Sequence, residues 1–451
     1  MKIRLLDSTK ILADRRWRAS LATTGAAASS KLVTALAGFL VVRITFGYLG
    51  VELYGLWMAL TSGIALLTFA DVGLGNGLLN QVAIQSAGPD ASARIRELAS
   101  SALAYLAVIS GLLIIVAIPL SVLVDWRAVF KLSSGSIAED VPVVVMVLVG
   151  AAAMQMLFGA IRKLQLGLQR GYWGYWSVAA GQALAVIGVW VAVSIDAGLV
   201  GIVIGYVSGG LAAALINALI FFLARPDLAF RLKSVKLAPG LALLSSGSTY
   251  LILQVLGTLS IATDGLLIGA LIGTTHVAQY AVLQKIFTLG LISQYITAPL
   301  WPAFTEACAR GDYRWASSSL RASMILATAL AAGSGLVLLF AAPWIVEHWL
   351  APGLVISPLM VLGFAAWTIV AGYGGALAPF MNGVMARSHL RILTVAAAVA
   401  IVLKLILIPR FGATAAIWCS VVAHSVLYAI PAARTAFGYL RTQSAALPRG
   451  A

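Results

Sequence analysis

Residues 198–223 read GLVGIVIGYVSGGLAAALINALIFFL, and this stretch decides the class of fold. It contains no Asp, Glu, Lys or Arg, and it is long enough to cross a bilayer, which takes about 20 mainly apolar residues. Inside lipid the backbone must satisfy its own hydrogen bonds, and a stretch of this length is too long for a barrel strand. The sequence therefore predicts an α-helical membrane span here.

Apolar blocks of this kind recur along the whole chain. Of its 451 residues, 61% are hydrophobic and 10% are charged, whereas a soluble domain carries about 25% charged residues. Lipid must therefore cover much of the surface, which excludes a soluble enzyme. We predict an all-α membrane protein with about twelve transmembrane helices in two six-helix lobes around a central cavity. The predicted spans are residues 20–46, 53–75, 97–123, 141–161, 173–195, 198–223, 241–272, 277–301, 318–341, 355–379, 390–408 and 412–436.

The distribution of Lys and Arg predicts the orientation. With the N-terminus in the cytoplasm, 23 of the 30 Lys and Arg residues fall in cytoplasmic segments or within four residues of a cytoplasmic span end, 3 in outer loops and 4 deeper inside spans. Cytoplasmic loops carry such an excess because basic residues resist translocation. This bias places both termini in the cytoplasm and explains the net charge of +15 without nucleic acid. The predicted segments are a basic N-terminus (1–19), a first lobe (20–223), a basic linker (224–240), a second lobe (241–436) and a tail (437–451).

The sequence contains no arrangement typical of a catalytic or metal site. Its four His residues are scattered, and its two cysteines, Cys308 and Cys419, have no Cys or His cluster nearby. The phosphate-binding pattern GxxxxGK[ST] is missing, so ATP hydrolysis on this chain is not expected. We therefore expect no enzyme activity, no cofactor and no metal.

The first span carries two cations. A charge in the hydrocarbon core costs at least about 2.5–3.5 kcal/mol on insertion scales unless it faces a wet cavity or a partner. Lys31 lies near mid-span with Thr34 on roughly its face, which indicates a polar stripe lining a cavity; a Lys that snorkels or pairs with a neighbouring helix is the alternative. Arg43 lies about 18 Å further along the helix. There it either snorkels or adds a second cation that can bind a phosphate through two parallel hydrogen bonds.

The seventh span carries a polar row. Tyr250, Gln254 and Thr258 are four residues apart, which puts them along one helix face. Such a row either lines a cavity or forms hydrogen bonds between helices. We include these three residues with Lys31, Thr34 and Arg43 as candidate substrate-binding residues.

Three further ionisable groups are candidates for coupling or for ion pairing. Asp264 is the only acidic residue predicted deep inside a span, and it either couples transport to a cation or pairs with Lys285 in the next span; we expect the ion pair. His424 is central in the twelfth span and could titrate near neutral pH, although a lone buried His is more often simply hydrogen-bonded. Lys404, near the outer end of the eleventh span, is expected to snorkel.

Four segments, in both halves of the chain, resemble parts of one known family. They are GYLGVELYGLW (47–57), FADVGLGNGLLNQ (69–81), DGLLIG (264–269), and PLWPAFTEA (299–307) followed by RGDY (310–313), of which the last is the most specific match. They resemble, in this order, the first outer turn, the loop after the second span, the seventh span and the segment after the eighth span of bacterial oligosaccharide flippases, which belong to the multidrug/oligosaccharidyl-lipid/polysaccharide exporter superfamily.

The resemblance implies alternating access and a polyprenyl-diphosphate-linked oligosaccharide as the cargo. Such cargo feeds O-antigen (lipopolysaccharide), capsule or exopolysaccharide assembly at the bacterial cytoplasmic, or inner, membrane. The implied partners are this lipid-linked substrate, membrane lipids, and a glycan polymerase and glycosyltransferases, and we expect a monomer. The cavity has few arginines compared with the lipid II flippase branch, which argues against lipid II as the cargo.

Two other functions remain open at this point. One is a cation-coupled multidrug or small-molecule antiporter of the same superfamily, although the acidic first-lobe site of those antiporters is absent from spans one to six. The other is a membrane scaffold for glycan enzymes, for which a buried charge at Lys31 would have no use.

Overall fold

A computed structural model describes residues 2–446, apart from 66, 68–69, 72, 87–89, 133–134, 238, 241–242, 244–251, 253–254, 257–262, 293–296, 298–299 and 351. Within these residues the chain is helical and no β-strand occurs. The helices of the first half are α1 (Lys2–Ala65), α2 (Leu74–Gln85), α3 (Ala91–Leu123), α4 (Trp126–Phe130), α5 (Gly135–Gly167), α6 (Gly171–Ser194) and α7 (Gly198–Ala224).

The second half contains eight described α-helices and two π-helical segments. One π-helical segment, Val346–Leu350, follows α11, and the other, His424–Ala429, joins α14 to α15. The helices are α8 (Asp264–Ile272), α9 (Thr274–Phe287), α10 (Leu300–Ala309), α11 (Tyr313–Ile345), α12 (Pro358–Val384), α13 (Ala386–Phe411), α14 (Thr414–Ala423) and α15 (Ile430–Ala446).

Nine helices in the described part of the chain are long and apolar enough to cross a membrane. They account for every predicted span except the second, the seventh and the eighth. The second span is divided between the end of α1 and α2, where Gly73 adopts φ 78° just before α2 begins. Of the eighth, α9 and a short 3₁₀ helix, Thr288–Ile292, are described, and α10 begins at its end. Of the seventh, only the last part forms a described helix, α8.

The two halves of the chain repeat the same order of elements. Gly50 (φ 71°, ψ −177°) interrupts α1, and Gly273 (φ 104°, ψ 162°) separates α8 from α9; a residue with a Cβ rarely adopts such angles. After each glycine come a medium helix, a short helix and a helix of 33 residues, which is α3 in one half and α11 in the other. The two halves therefore repeat, with Gly50 in the first half corresponding to Gly273 in the second.

By their contacts the residues form two units. Unit 1 comprises Met1–Tyr48, Leu67–Asp125 and Ser136–Leu251, and unit 2 comprises Leu49–Leu66, Trp126–Gly135 and Ile252–Ala451. Residues 49–66 and 126–135, which the sequence placed in the first lobe, therefore belong with unit 2.

Unit 1 contains a helix pair that is held by close backbone contact. α6 and α7 approach each other closely at Gly188 and Gly205. A Cβ added to Gly188 would lie 2.2 Å from the carbonyl oxygen of Gly205, and a Cβ added to Gly205 would lie 2.4 Å from the carbonyl oxygen of Gly188. Small residues allow membrane helices to approach in this way and to gain van der Waals contact. The apolar core of the unit includes Leu78, Leu106 and Leu164.

Unit 2 has an apolar core near α10, α11 and α12. Phe304 and Phe380 are buried there and meet edge to face, with ring centroids 5.6 Å apart. The segment after Gly50 packs closely against the beginning of α9. The contact leaves no room for a side chain at Gly55, where an added Cβ would lie 1.8 Å from the carbonyl oxygen of Thr274.

Candidate functional site

A buried ion pair lies inside unit 2. The Lys404 Nζ of α13 donates a hydrogen bond to Asp264 Oδ1 at the beginning of α8, at 2.5 Å, and both side chains are 0% exposed. The Tyr280 hydroxyl of α9 donates to the other carboxylate oxygen, Oδ2. A buried carboxylate with a paired cation and a hydrogen-bond donor on each oxygen is well satisfied.

Two predictions about this region are wrong. Asp264 pairs with Lys404 and not with Lys285, and Lys404 is buried rather than snorkelling. The reason is the geometry of α9, where Tyr280 points to Asp264. Lys285 comes five residues later, which turns it about 140° round the helix from Tyr280.

Lys285 is consequently not part of this ion pair. Its side chain is half-buried in the last turn of α9. It forms no hydrogen bond or ion pair with any residue that the structure describes. A charge kept at this depth normally faces a wet cavity or a partner. Lys285 is thus available for an anionic ligand.

His424 is buried at the first position of the π-helical segment. Its ring meets that of Trp367 edge to face, with centroids 4.9 Å apart, and its Nδ1 has no hydrogen-bond partner in the described part of the chain. One turn on, Tyr428 lies 3.1 Å from His389 Nε2, and His389 Nδ1 lies 2.7 Å from Asn382 Oδ1. Because an amide oxygen only accepts, Nδ1 carries the proton and Tyr428 donates to Nε2. The sequence did not single out His389, since it stands beside a loop.

The first-span candidates lie on α1 in unit 1. Lys31 is exposed, and the hydroxyl of Thr34 donates to the carbonyl oxygen of Ser30 at 2.8 Å, so its hydrogen-bonding capacity is partly used within the helix. Arg43 is also exposed and continues a row of exposed side chains formed by Leu32, Leu36 and Leu40. Tyr250, Gln254 and Thr258 lie outside the described residues.

Unit 1 also contains two cations that sequence reasoning placed in a loop. The predicted fourth span ended at residue 161, but α5 continues to Gly167 and carries Arg162 and Lys163 as half-buried side chains. Lys163 Nζ donates to Asn76 Oδ1 at 2.7 Å, and Arg162 Nη1 donates to Gln155 Oε1 at 3.3 Å. The leucines that follow, beginning with the buried Leu164, were the signal that the helix continues.

No group of three His, Cys, Asp or Glu side chains placed to hold a metal occurs among the described residues. Cys308 and Cys419 are both free thiols.

Comparison with known proteins identifies the family and the fold. Residues 20–308, more than half of the chain, match a family model described as polysaccharide biosynthesis protein. No curated protein matches the chain by sequence.

Three solved structures share its fold. An inward-facing multidrug resistance MATE family transporter of the MOP superfamily aligns with a TM-score of 0.75 at 13% identity, covering 92% of this chain and 96% of its own. The lipid II flippase MurJ, in an inward closed conformation, aligns with a TM-score of 0.70 at 11% identity, and the alignment covers 93% of this chain and 89% of MurJ. A MOP superfamily transporter from Pyrococcus furiosus aligns with a TM-score of 0.62 at 13% identity, covering 96% of each chain.

These matches confirm the all-α membrane fold of about twelve helices and the resemblance to the superfamily. At such low identity the structural likeness concerns the fold alone. The family match concerns the sequence itself and extends from α1 to α10. The chain is a multi-pass membrane protein with the fold of MOP superfamily transporters, and it belongs to the polysaccharide biosynthesis protein family.

Proposed function

We propose that this protein is a flippase that moves a polyprenyl-diphosphate-linked oligosaccharide across the bacterial cytoplasmic membrane by alternating access. The glycan would enter O-antigen, capsule or exopolysaccharide assembly. The family match supports a role in polysaccharide biosynthesis, and the fold supports transport.

Lys285 is the observation that carries the choice of an anionic cargo. Its ammonium is half-buried in α9 without a carboxylate partner among the described residues. A cation in a low-dielectric environment gains most from an anion that arrives with the ligand. A diphosphate supplies that charge, and Lys binds phosphate as a compact point charge. Lys31 and Arg43 on α1 are proposed to add positive charge along the path.

The buried ion pair weighs against a cation-coupled antiporter. Such a transporter needs a carboxylate that can release one cation and accept another. Asp264 is the only buried carboxylate in the described ranges, and the ammonium of Lys404 already neutralises it. A cation from solution would have to displace the ammonium of Lys404, which is covalently attached to the chain and therefore remains at high effective concentration beside Asp264.

A membrane scaffold for glycan enzymes is the other alternative. In a scaffold, a half-buried Lys285 without a counter-charge among the described residues would make membrane insertion less favourable and would bind nothing that these residues supply. The glycan polymerase and the glycosyltransferases are therefore proposed as neighbours in the same pathway, and the protein itself as a monomer.

Deletion of the gene, with complementation, tests the proposal. A strain without a flippase loses surface glycan and accumulates lipid-linked repeat units inside. An antiporter deletion changes only drug or ion tolerance, and a scaffold deletion lowers the synthesis of repeat units rather than their export. Accumulated repeat units that the intact gene clears would support the flippase, and their absence would reject it.

The proposed orientation has its own test. We propose that both termini and the linker 224–240 face the cytoplasm, because of the excess of Lys and Arg in these segments. Reporter tags at both ends and in the linker should all report cytoplasmic, and a tag in residues 125–140 should report the outside. An outward-facing linker tag would reject the orientation.

A further inference from the structure

The connection that leaves α7 is a fixed strap rather than a loose linker. We define the strap as residues 225–237, which contain two short 3₁₀ turns. At its beginning, Arg225 binds Asp227 through two parallel hydrogen bonds of 2.8 and 2.7 Å. The Arg225 guanidinium holds the pKa of Asp227 well below its usual range, so this pair stays ionised at neutral pH. Leu228 of the strap is fully buried in the apolar core of unit 1.

The strap is anchored along the first turns of α3. The backbone N–H of Arg231 donates to Ser100 Oγ at 3.2 Å, and that of Lys236 donates to Ser101 Oγ at 3.0 Å. The Lys236 ammonium lies 2.7 Å from a carboxylate oxygen of Glu97. Strap and helix therefore keep a fixed register in unit 1.

These anchors set the depth of the strap in the bilayer. α3 has 33 residues, so it is about 50 Å long, whereas the hydrocarbon core is about 30 Å thick. The helix carries Arg94, Arg96 and Glu97 near its beginning and has no charged residue from there to Leu123. Its first ten or so residues therefore cross the headgroup region, and the strap, bound at Glu97 to Ser101, lies at the boundary between headgroups and acyl chains.

The outer face of the strap carries both exposed apolar side chains and exposed cations, which suit the acyl chains and the headgroups on the two sides of this boundary. Phe230, Leu232 and Leu237 are exposed by 46%, 77% and 68%. Between them, Arg231 and Lys233 are exposed and form no ion pair with any described residue, in contrast to Arg225 and Lys236. Exposed apolar side chains interleaved with unpaired cations are typical of segments that lie in a membrane interface.

We propose that the strap is a docking surface for anionic phospholipid. Arg231 and Lys233 bind lipid phosphates, and Phe230, Leu232 and Leu237 enter the adjacent acyl region. The depth fixed by α3 and the positive charge favour lipid over a soluble protein as the occupant. This surface lies in unit 1 on residues outside the proposed cargo site, so the inference holds whatever the transporter carries.

A spin label on the strap tests the proposal in the full-length protein. Leu232→Cys is labelled in a chain with Cys308→Ser and Cys419→Ala, and the protein is reconstituted into vesicles of phosphatidylcholine or of an equal mixture of phosphatidylcholine and phosphatidylglycerol. Collisions of the label with oxygen, which concentrates in lipid, are compared with those of a water-soluble nickel chelate. We expect the label to be protected from the chelate, and more so in the vesicles that contain phosphatidylglycerol.

Variants separate the charges from the apolar contacts. Arg231→Gln with Lys233→Gln should abolish the response to phosphatidylglycerol, since each basic residue near an anionic surface strengthens binding about fivefold. Arg127→Gln removes an exposed cation from α4 and is the control for net charge; it should keep the response. Phe230→Ser with Leu237→Ser should expose the label to the chelate.

Two outcomes would overturn the proposal. A label that is open to the chelate in both kinds of vesicle would place the strap in water and point to a soluble partner. A response to phosphatidylglycerol that survives the loss of Arg231 and Lys233 would show that these cations do not bind the lipid.

Discussion

The ammonium of Lys404 lies 2.5 Å from a carboxylate oxygen of Asp264, and both side chains are completely buried. Removal of both charges from water is costly, and the pair persists because attraction and the hydrogen bond from Tyr280 offset that cost. The pair connects α13 to α8 across 140 residues of sequence. Its loss should therefore affect the fold of unit 2 before it affects any cargo.

The first prediction concerns single and double changes of this pair. Asp264→Asn or Lys404→Met alone should lower the free energy of unfolding by about 3–5 kcal/mol, because each leaves a buried charge without its partner. Asp264→Leu with Lys404→Met should recover most of that loss, since apolar side chains can replace a buried pair. Thermal unfolding in detergent and the amount of protein in membranes measure both effects.

The matched control uses Lys285, the partner of Asp264 that the sequence predicts. Asp264→Asn with Lys285→Met should remain as unstable as Asp264→Asn, because Lys285 does not contact Asp264. Recovery of stability in this second double variant, rather than in the first, would contradict the pairing.

The second prediction concerns Lys285 itself. Lys285→Met keeps most of the apolar stem and removes the charge, so the protein should insert and accumulate normally. If the ammonium binds the cargo phosphates, export should fall at least tenfold, and Lys285→Arg should retain part of it. Surface glycan and intracellular lipid-linked repeat units in a complemented deletion strain provide the measurement. Normal export by Lys285→Met would remove this residue from the cargo site.

The third prediction separates the two cations of α1. Lys31→Ala should abolish export at normal protein levels, and Lys31→Arg should partly restore it, if the ammonium compensates phosphate near mid-membrane. Arg43 continues the exposed row of Leu32, Leu36 and Leu40, so Arg43→Gln tests whether this arginine snorkels instead. Export equal to that of the parent protein in Lys31→Ala would remove that lysine from the cargo path, and the same result in Arg43→Gln would remove that arginine.

The fourth prediction concerns the α6–α7 contact in unit 1. Gly205→Ala places a methyl group 2.4 Å from the carbonyl oxygen of Gly188, so the helices must separate and stability should fall by about 1–3 kcal/mol. Gly111→Ala in α3 is the control, because a Cβ there meets nothing within 4 Å. That change should be neutral or slightly stabilising, since Ala favours helix over Gly. Equal melting temperatures for the two variants would contradict the close contact.

The sequence predicted the class of fold because its determinants are local. An uninterrupted apolar stretch such as 198–223 specifies a spanning helix without reference to any other part of the chain, and α7 occupies nearly the same residues. The ends of other helices were less accurate. The predicted fourth span ends just before Arg162 and Lys163, whereas α5 continues to Gly167, and these two side chains donate hydrogen bonds to Gln155 and Asn76.

The pairing of charged residues depends on contacts that no local pattern records. Asp264 was recognised as unusual because an acid deep in a span is rare. The sequence predicts Lys285 as its partner because the two residues lie on neighbouring predicted spans. In the structure the rotation of α9 turns Lys285 away, and the partner is Lys404 on a helix 140 residues later in the chain. Similarly, His389 acquires its role only when Tyr428 and Asn382 are brought to its two ring nitrogens.

The matching turns at Gly50 and Gly273 bear on how the gene arose. Each glycine stands at the same place in a series of helices, and the 33-residue helices α3 and α11 follow at corresponding positions. A shared backbone geometry at two such distant points is what the duplication and fusion of a gene of half the length would leave. The halves differ in their buried charges: among the described residues only the second buries an Asp–Lys pair, Asp264 with Lys404, whereas both have glycine at the turn.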